Sequence, residues 1–183
     1  KKRHKCFLIE DACHAFGASY IFKNKKVLIG SCKHSDLAIF SFHPVKSITT
    51  GEGGVVTVNN KILAKKVSLL RSHGIERKTN KHWEYNINNF GFNYRLSDIN
   101  CALGYSQLKK IKKIIIYRSK IYKNYYKFFL KNHEVILPEY TKKNNSAFHL
   151  FLISLKINNK IFKDKFFNYL KKNKILVQYH YIP

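Results

Sequence analysis

The chain contains no methionine, only 10 acidic residues against 35 basic ones, and four cysteines. Each scarcity excludes something. The cysteines form no C-x-x-C pair and no His/Cys cluster at zinc spacing, so no metal site is expected. Cys6, Cys13, Cys32 and Cys101 read instead as buried, reduced thiols of a cytoplasmic protein. No apolar run approaches the roughly 20 residues of a membrane span, and no secretory leader opens the sequence. Ile114-Ile115-Ile116 is short and lies between Lys113 and Tyr117-Arg118. Internal repeats and low-complexity tracts are absent. With no initiator methionine, a strand that begins almost at once and a closing Tyr179-His180-Tyr181-Ile182-Pro183 that reads as loop, the chain is expected to be a segment of a longer protein.

What is present fits a globular protein. The chain has 183 residues, of which 45% are hydrophobic, enough to bury a core and inconsistent with disorder. The formal charge of +25 would on its own point to a nucleic-acid or anionic-membrane partner. The excess is spread as lysine along the helical segments, among isoleucine, asparagine, tyrosine and phenylalanine. That is compositional drift rather than a patch, so neither nucleic acid nor membrane is expected as a partner. The field would still draw in anionic substrates.

Two short apolar runs dominate the first part. Cys6-Phe7-Leu8-Ile9 ends in acid and predicts a buried parallel strand presenting Asp11 at its C-terminal end. Leu37 to Phe42 predicts a second strand that reaches Ser41, and Val55 to Val58 a third, with Asn59-Asn60 as turn and helix cap. A helix is expected from about Lys61 to His73, stopped by Gly74. The polar stretch Ile75 to Arg95 reads as a functional loop. Ser97 caps one long helix expected to run to about Leu130, with Ile99, Ala102, Leu103, Leu108, Ile111 and Ile115 as its core stripe. Its second half is a solvated connection between domains. After Pro138 and the polar run Thr141 to Ser146, a strand (Phe148 to Leu155), a helix (Lys160 to Lys172) and a strand (Ile175 to Val177) predict the start of a smaller α/β domain. The expected division is 1–130 and 131–183, and the fold class is α/β.

The chemistry lies in two motifs. Ile9-Glu10-Asp11-Ala12-Cys13-His14 closes one strand, and Ser41-Phe42-His43-Pro44-Val45-Lys46 follows another, before Thr49-Thr50-Gly51-Glu52-Gly53-Gly54. An acid at one strand end, with a serine and a lysine beyond the next, is the set that pyridoxal 5'-phosphate (PLP) chemistry needs. The amine bonds to the cofactor aldehyde and moves protons, and the carboxylate keeps the pyridine nitrogen protonated. Asp11 and Lys46 are the expected catalytic pair, with Ser41 and the loop after it offering donors to the phosphate. His14 is placed to contact the ring, and His43 to shape the loop. Alone, Asp11 could be a turn residue, Lys46 a surface lysine and Ser41 a loop cap.

Four segments carry a resemblance. Glu10 to Gly17, Ser41 to Gly54, Leu69-Leu70-Arg71-Ser72-His73-Gly74 and Gly91 to Gly104 are similar to the sugar aminotransferases of the DegT/StrS family, which are fold-type I PLP enzymes. Within it, Pro44 and the closing Gln178-Tyr179-His180-Tyr181 resemble the branch that serves pseudaminic acid and related surface glycans. The resemblance implies Asp11 at the pyridine nitrogen, His14 near the ring, Ser41 at the phosphate and Lys46 on the aldehyde. It implies Asn93 reaching the phosphate of a neighbouring subunit in a homodimer, and Gln178, Tyr179, His180 and Tyr181 lining the nucleotide-sugar site. It further implies a part of the large, mostly parallel-sheet domain (1–130, with its connecting helix) and a part of the small one (131–183). The reaction would move an amino group from an amino acid, glutamate, to a UDP-linked 4-keto-6-deoxy sugar. Family members also carry a Gly/Thr/Ser phosphate loop, an aromatic stacked on the ring and a longer C-terminal domain, none of them in this sequence, so the chain alone is expected to bind PLP weakly and turn over poorly. Competing readings are a sugar dehydratase on the same scaffold, which Lys46 argues against because such relatives have histidine there, a basic nucleic-acid-binding protein, and an inactive fragment.

Overall fold

The computed structural model describes residues 4–77, 80–81, 83–139, 144–157 and 159–181. Of the polar run expected at 141–146, residues 141–143 lie outside that set, as do parts of the 75–95 loop and the last two residues. The elements are β1 (Ile9–Asp11), β2 (Ser19–Phe22), β3 (Lys25–Leu28), β4 (Leu37–Ser41), β5 (Gly54–Val58), α1 (Lys61–Arg71), β6 (Ile75–Glu76), β7 (Asn86–Ile87), α2 (Asp98–Leu108), α3 (Ile111–Phe129), β8 (Val135–Ile136), β9 (Asn144–Asn145), β10 (Ser154–Leu155) and α4 (Lys160–Lys172). They fall into two compact units, Lys1–Tyr122 with Tyr140–Leu150, and Lys123–Glu139 with Phe151–Pro183.

In the first unit, β1 pairs parallel with β4 in the register Asp11↔Ile39, and β4 pairs antiparallel with β5. The sheet order β1-β4-β5 leaves β1 with one partner. The core beneath it is small: Ala12, Cys32, Ala38 and Phe40, with the Phe16 ring edge-on to both Phe40 and Phe42. Gly30 is obligatory there, because its φ is +81° and a Cβ would meet the Phe40 ring at 2.4 Å. β2 and β3 form a hairpin whose two turn residues, Lys23 (φ 47°) and Asn24 (φ 59°), both have left-handed backbones, as the twist of a two-residue hairpin demands.

The caps expected from sequence form. The Asn60 side chain accepts from the Ile62 and Leu63 amides at the start of α1, and Ser97 accepts from Asn100 at the start of α2. Asn159 does the same for α4, which spans the expected Lys160–Lys172.

Several expectations are corrected. The first strand is not buried: Ile9 is 58% exposed, since β1 is an edge. The single long helix is two, because the Lys110 amide bonds three residues back, to Gln107 at 2.9 Å, and so tightens the chain between α2 and α3. The stripe expected as core on α2 is largely in solvent, with Ile99 84% exposed. Of the strand expected over Phe148 to Leu155 only β10 forms, and Phe148 itself takes a left-handed φ of 51° that no strand can hold. Ile175 to Val177 is not a strand. Among the thiols only Cys32 is buried; Cys13 is half-buried, and Cys6 and Cys101 are exposed.

Candidate active site

The parallel pairing of β1 with β4 brings both C-terminal strand ends to the same edge, where open α/β sheets place their ligands. Successive side chains on β1 face opposite ways. Glu10 accepts from the Gly30 amide at 3.3 Å, tying down the loop after the hairpin, and Asp11 is left at the strand end with its carboxylate exposed.

Around Asp11 the charges converge. The Cys13 backbone N–H donates to its Oδ1 at 3.1 Å. The Cys13 thiol and that amide hold the Asp11 carboxyl below the ordinary aspartate range against the opposing effect of burial, and the charges of His14 and Lys46 add smaller contributions. Cys13 is itself pushed up, first by burial and then by the neighbouring carboxylate, while the Ser41 backbone donating toward its sulfur works the other way. Asp11, Cys13, His14, Ser41 and Lys46 therefore share one neighbourhood.

The loop from Phe42 to Gly53 is closed on itself. The amides of Phe42 and Thr50 donate to the carbonyls of Gly53 and Phe42 at 2.8 and 3.0 Å. Thr49 Oγ1 donates to the Phe42 carbonyl at 3.0 Å and accepts from the Gly51 amide at 2.9 Å. From α2, the Asn100 side chain donates to the Thr50 carbonyl, and Gly104 stands so close that a Cβ there would meet Thr50 Cγ2 at 2.6 Å. Ser47, Ile48 and Thr50 are buried, whereas Lys46 is half-buried, its amide bonded to the His43 carbonyl at 2.9 Å. His43 shapes the loop: its Nδ1 accepts from the Val45 amide at 3.3 Å and its Nε2 faces Glu52 at 3.7 Å. Ser41 Oγ accepts from the His43 amide at 3.3 Å, leaving its own proton to donate.

An ionised carboxylate, an amine within its field and a hydroxyl at the neighbouring strand end, on a rigid loop, fit PLP. Neither Cys13 nor His149 stood out in the sequence. The thiol sits among the site residues, and the His149 ring lies 4.5 Å from that of His14. Asn93 is elsewhere, bridged to Ser72 beside the end of α1 with an exposed side chain. Gln178, Tyr179, His180 and Tyr181 belong to the second unit, where the Tyr179 ring stacks on Phe167 of α4 at 4.7 Å. Among the described residues no group of three or more His, Cys, Asp or Glu is placed to hold a metal, and no helix is long and apolar enough to cross a membrane.

Residues 1–183 match the model of the DegT/DnrJ/EryC1/StrS aminotransferase family. The chain is 46% identical over 182 residues to a UDP-4-amino-4,6-dideoxy-N-acetyl-beta-L-altrosamine transaminase of Campylobacter jejuni, covering 100% of this chain and 46% of that protein. A protein of the same name from Helicobacter pylori is 36% identical over 184 residues, again 100% and 46%. Among solved structures, Helicobacter pylori PseC, an aminotransferase involved in the biosynthesis of pseudoaminic acid, superposes with a TM-score of 0.83 at 34% identity, covering 100% of this chain and 47% of that one. The PMP form of Spr1654 from Streptococcus pneumoniae gives 0.80 at 26% identity, covering 97% and 44%. The chain thus spans about half the length of the curated relatives it matches.

Proposed function

The chain belongs to the DegT/DnrJ/EryC1/StrS aminotransferase family, and from that premise we propose that it carries the lysine and the acid of a PLP-dependent nucleotide-sugar aminotransferase. The observation that supports this reading is that the parallel pairing of β1 with β4 sets Asp11 at one strand end beside the loop that follows the other, and that the charge of Lys46 on that loop helps lower the Asp11 carboxyl. When bound, PLP supplies an aldehyde that passes the amino group on and a ring that draws electrons from the carbon losing a proton. Asp11, already ionised, accepts a hydrogen bond from the protonated pyridine nitrogen. With PLP held there, Lys46 would take a proton from the substrate carbon that bears the amino group and return one to the cofactor carbon on the other side of that nitrogen, a transfer that its flexible stem permits. The Ser41 hydroxyl donates to the phosphate.

The finer readings are part of the same proposal. Glutamate is the donor and a UDP-linked 4-keto-6-deoxy sugar the acceptor, in pseudaminic acid or related glycan synthesis; similarity to the transaminases named above supports this. Gln178, Tyr179, His180 and Tyr181 line the sugar-nucleotide site. Asn93, with its exposed side chain, reaches the phosphate across a homodimer. Residues 1–130 and 131–183 are parts of the large and small domains, and the protein works in the cytoplasm. The nucleic-acid-binding alternative yields to a family match that spans the chain.

The test is amino transfer in the protein that carries this chain: PLP, glutamate and a UDP-4-keto-6-deoxy sugar, followed by mass spectrometry. Formation of the UDP-amino sugar with loss of the keto sugar is expected. Unchanged sugar from a protein with PLP bound would refute the reaction assigned.

A further inference from the structure

His149 reaches the Asp11 neighbourhood from far along the chain, within the same compact unit. Its ring centroid lies 4.5 Å from that of His14, with the planes at 57°. The backbone that delivers it is held from several directions. β9 pairs with β2, and the Ser146 Oγ accepts from the Phe148 amide at 3.0 Å. Phe148 is 5% exposed, its ring 4.9 Å from that of Tyr122. From α3, the Arg118 guanidinium donates to the carbonyls of Phe148 and His149, at 3.5 and 3.0 Å. A buried aromatic residue in the left-handed region persists only where its surroundings over-determine it. Here a charge-assisted pair of bonds and the Tyr122 contact do so.

We propose that His149 is a positioning residue: its ring packs on His14 and fixes that imidazole beside the Asp11 carboxylate, with Arg118 holding the turn that delivers it. The terminal torsion of an imidazole is broad, and a ring held against it at a tilt narrows the range its nitrogens sample. His14 contributes to keeping Asp11 ionised, so the constraint reaches the acid of the site. The consequence for cofactor binding rests on the function proposed above; the ring pair does not.

The test compares His149→Ala, His149→Phe and Arg118→Ala with the parent chain, each matched for fold by circular dichroism. The first readout is the His14 Cε1–Hε1 NMR resonance and its cross-relaxation to the side chain at 149. His149→Ala and Arg118→Ala are expected to shift the resonance, and His149→Phe to keep the ring contact. The second is the PLP dissociation constant, expected to rise about 5- to 10-fold in His149→Ala and less than about 2-fold in His149→Phe, as loss and retention of one ring contact imply. An unmoved His14 resonance in His149→Ala would overturn the proposal, as would equal weakening by alanine and phenylalanine. If His149→Ala does not fold, an unmoved resonance in Arg118→Ala overturns it. A protein carrying this chain that takes up no PLP while the His14–His149 contact stands would remove the function reading and leave the positioning role intact.

Discussion

Cys13 donates its backbone N–H to Asp11 Oδ1 at 3.1 Å, two residues back in the chain, and this local turn prepares the acid of the site. The thiol and the amide come first in lowering the carboxyl, with the His14 and Lys46 charges behind them. Asp11 stays ionised against the opposing effect of burial because its donors are built into the strand end.

The pH dependence follows in sign. The folded pKa of Asp11 lies below its unfolded value, so its stabilising contribution is complete above the ordinary aspartate value. That contribution is lost as pH falls through the lowered one. An NMR titration of the Asp11 carboxyl should give a midpoint below that of an unstructured peptide. Cys13→Ala should move the midpoint upward; a midpoint unmoved by the substitution would remove the thiol from the account.

The cysteines should label in a set order. Cys6 and Cys101 are exposed, Cys13 is half-buried with its thiol pushed up by burial, and Cys32 is buried. Iodoacetamide at neutral pH, followed by peptide mapping, should modify the first two fastest, Cys13 more slowly and Cys32 last. Cys13 labelling ahead of Cys101 would contradict the environment described.

Asn100 ties α2 to the lysine loop through the Thr50 carbonyl. Asn100→Ala should cost on the order of 1 kcal/mol in a denaturant titration, the net worth of one such hydrogen bond. It should also loosen PLP retention, because the anchored loop carries Lys46. Unchanged stability and retention together would show that the loop holds itself.

Gly74 ends α1 with φ +68°, and a Cβ there would sit 1.9 Å from the Asn89 carbonyl oxygen. Gly74→Ala should destabilise by roughly 2 kcal/mol or more through the positive φ and the backbone clash. Thermal melting checks this, and a variant as stable as the parent would contradict the close approach of the two segments.

Much of the site was legible in sequence because strand ends and caps are local. Asp11 and Ser41 stand where apolar runs end in polar residues, and Asn60 and Ser97 cap where their side chains predict. His149 was not legible: its approach to His14 depends on Arg118 and on a left-handed Phe148, neither of which has periodicity. The β2–β3 hairpin was not legible either, because its turn, Lys23-Asn24, has no glycine and the residues on either side do not alternate. Ile99 shows the opposite failure. An apolar stripe records a face suited to burial, and the same chain need not supply the cover.

The central claim is that the amine of Lys46 and the acid of Asp11 serve one PLP ring. Borohydride reduction of the PLP-treated chain, followed by peptide mass mapping, tests it most directly. The account predicts that the pyridoxyl group is fixed on Lys46 in preference to the many surface lysines, and that Asp11→Ala weakens this labelling about tenfold or more. Labelling spread evenly over the lysines, or a Lys46 adduct indifferent to Asp11→Ala, would contradict it.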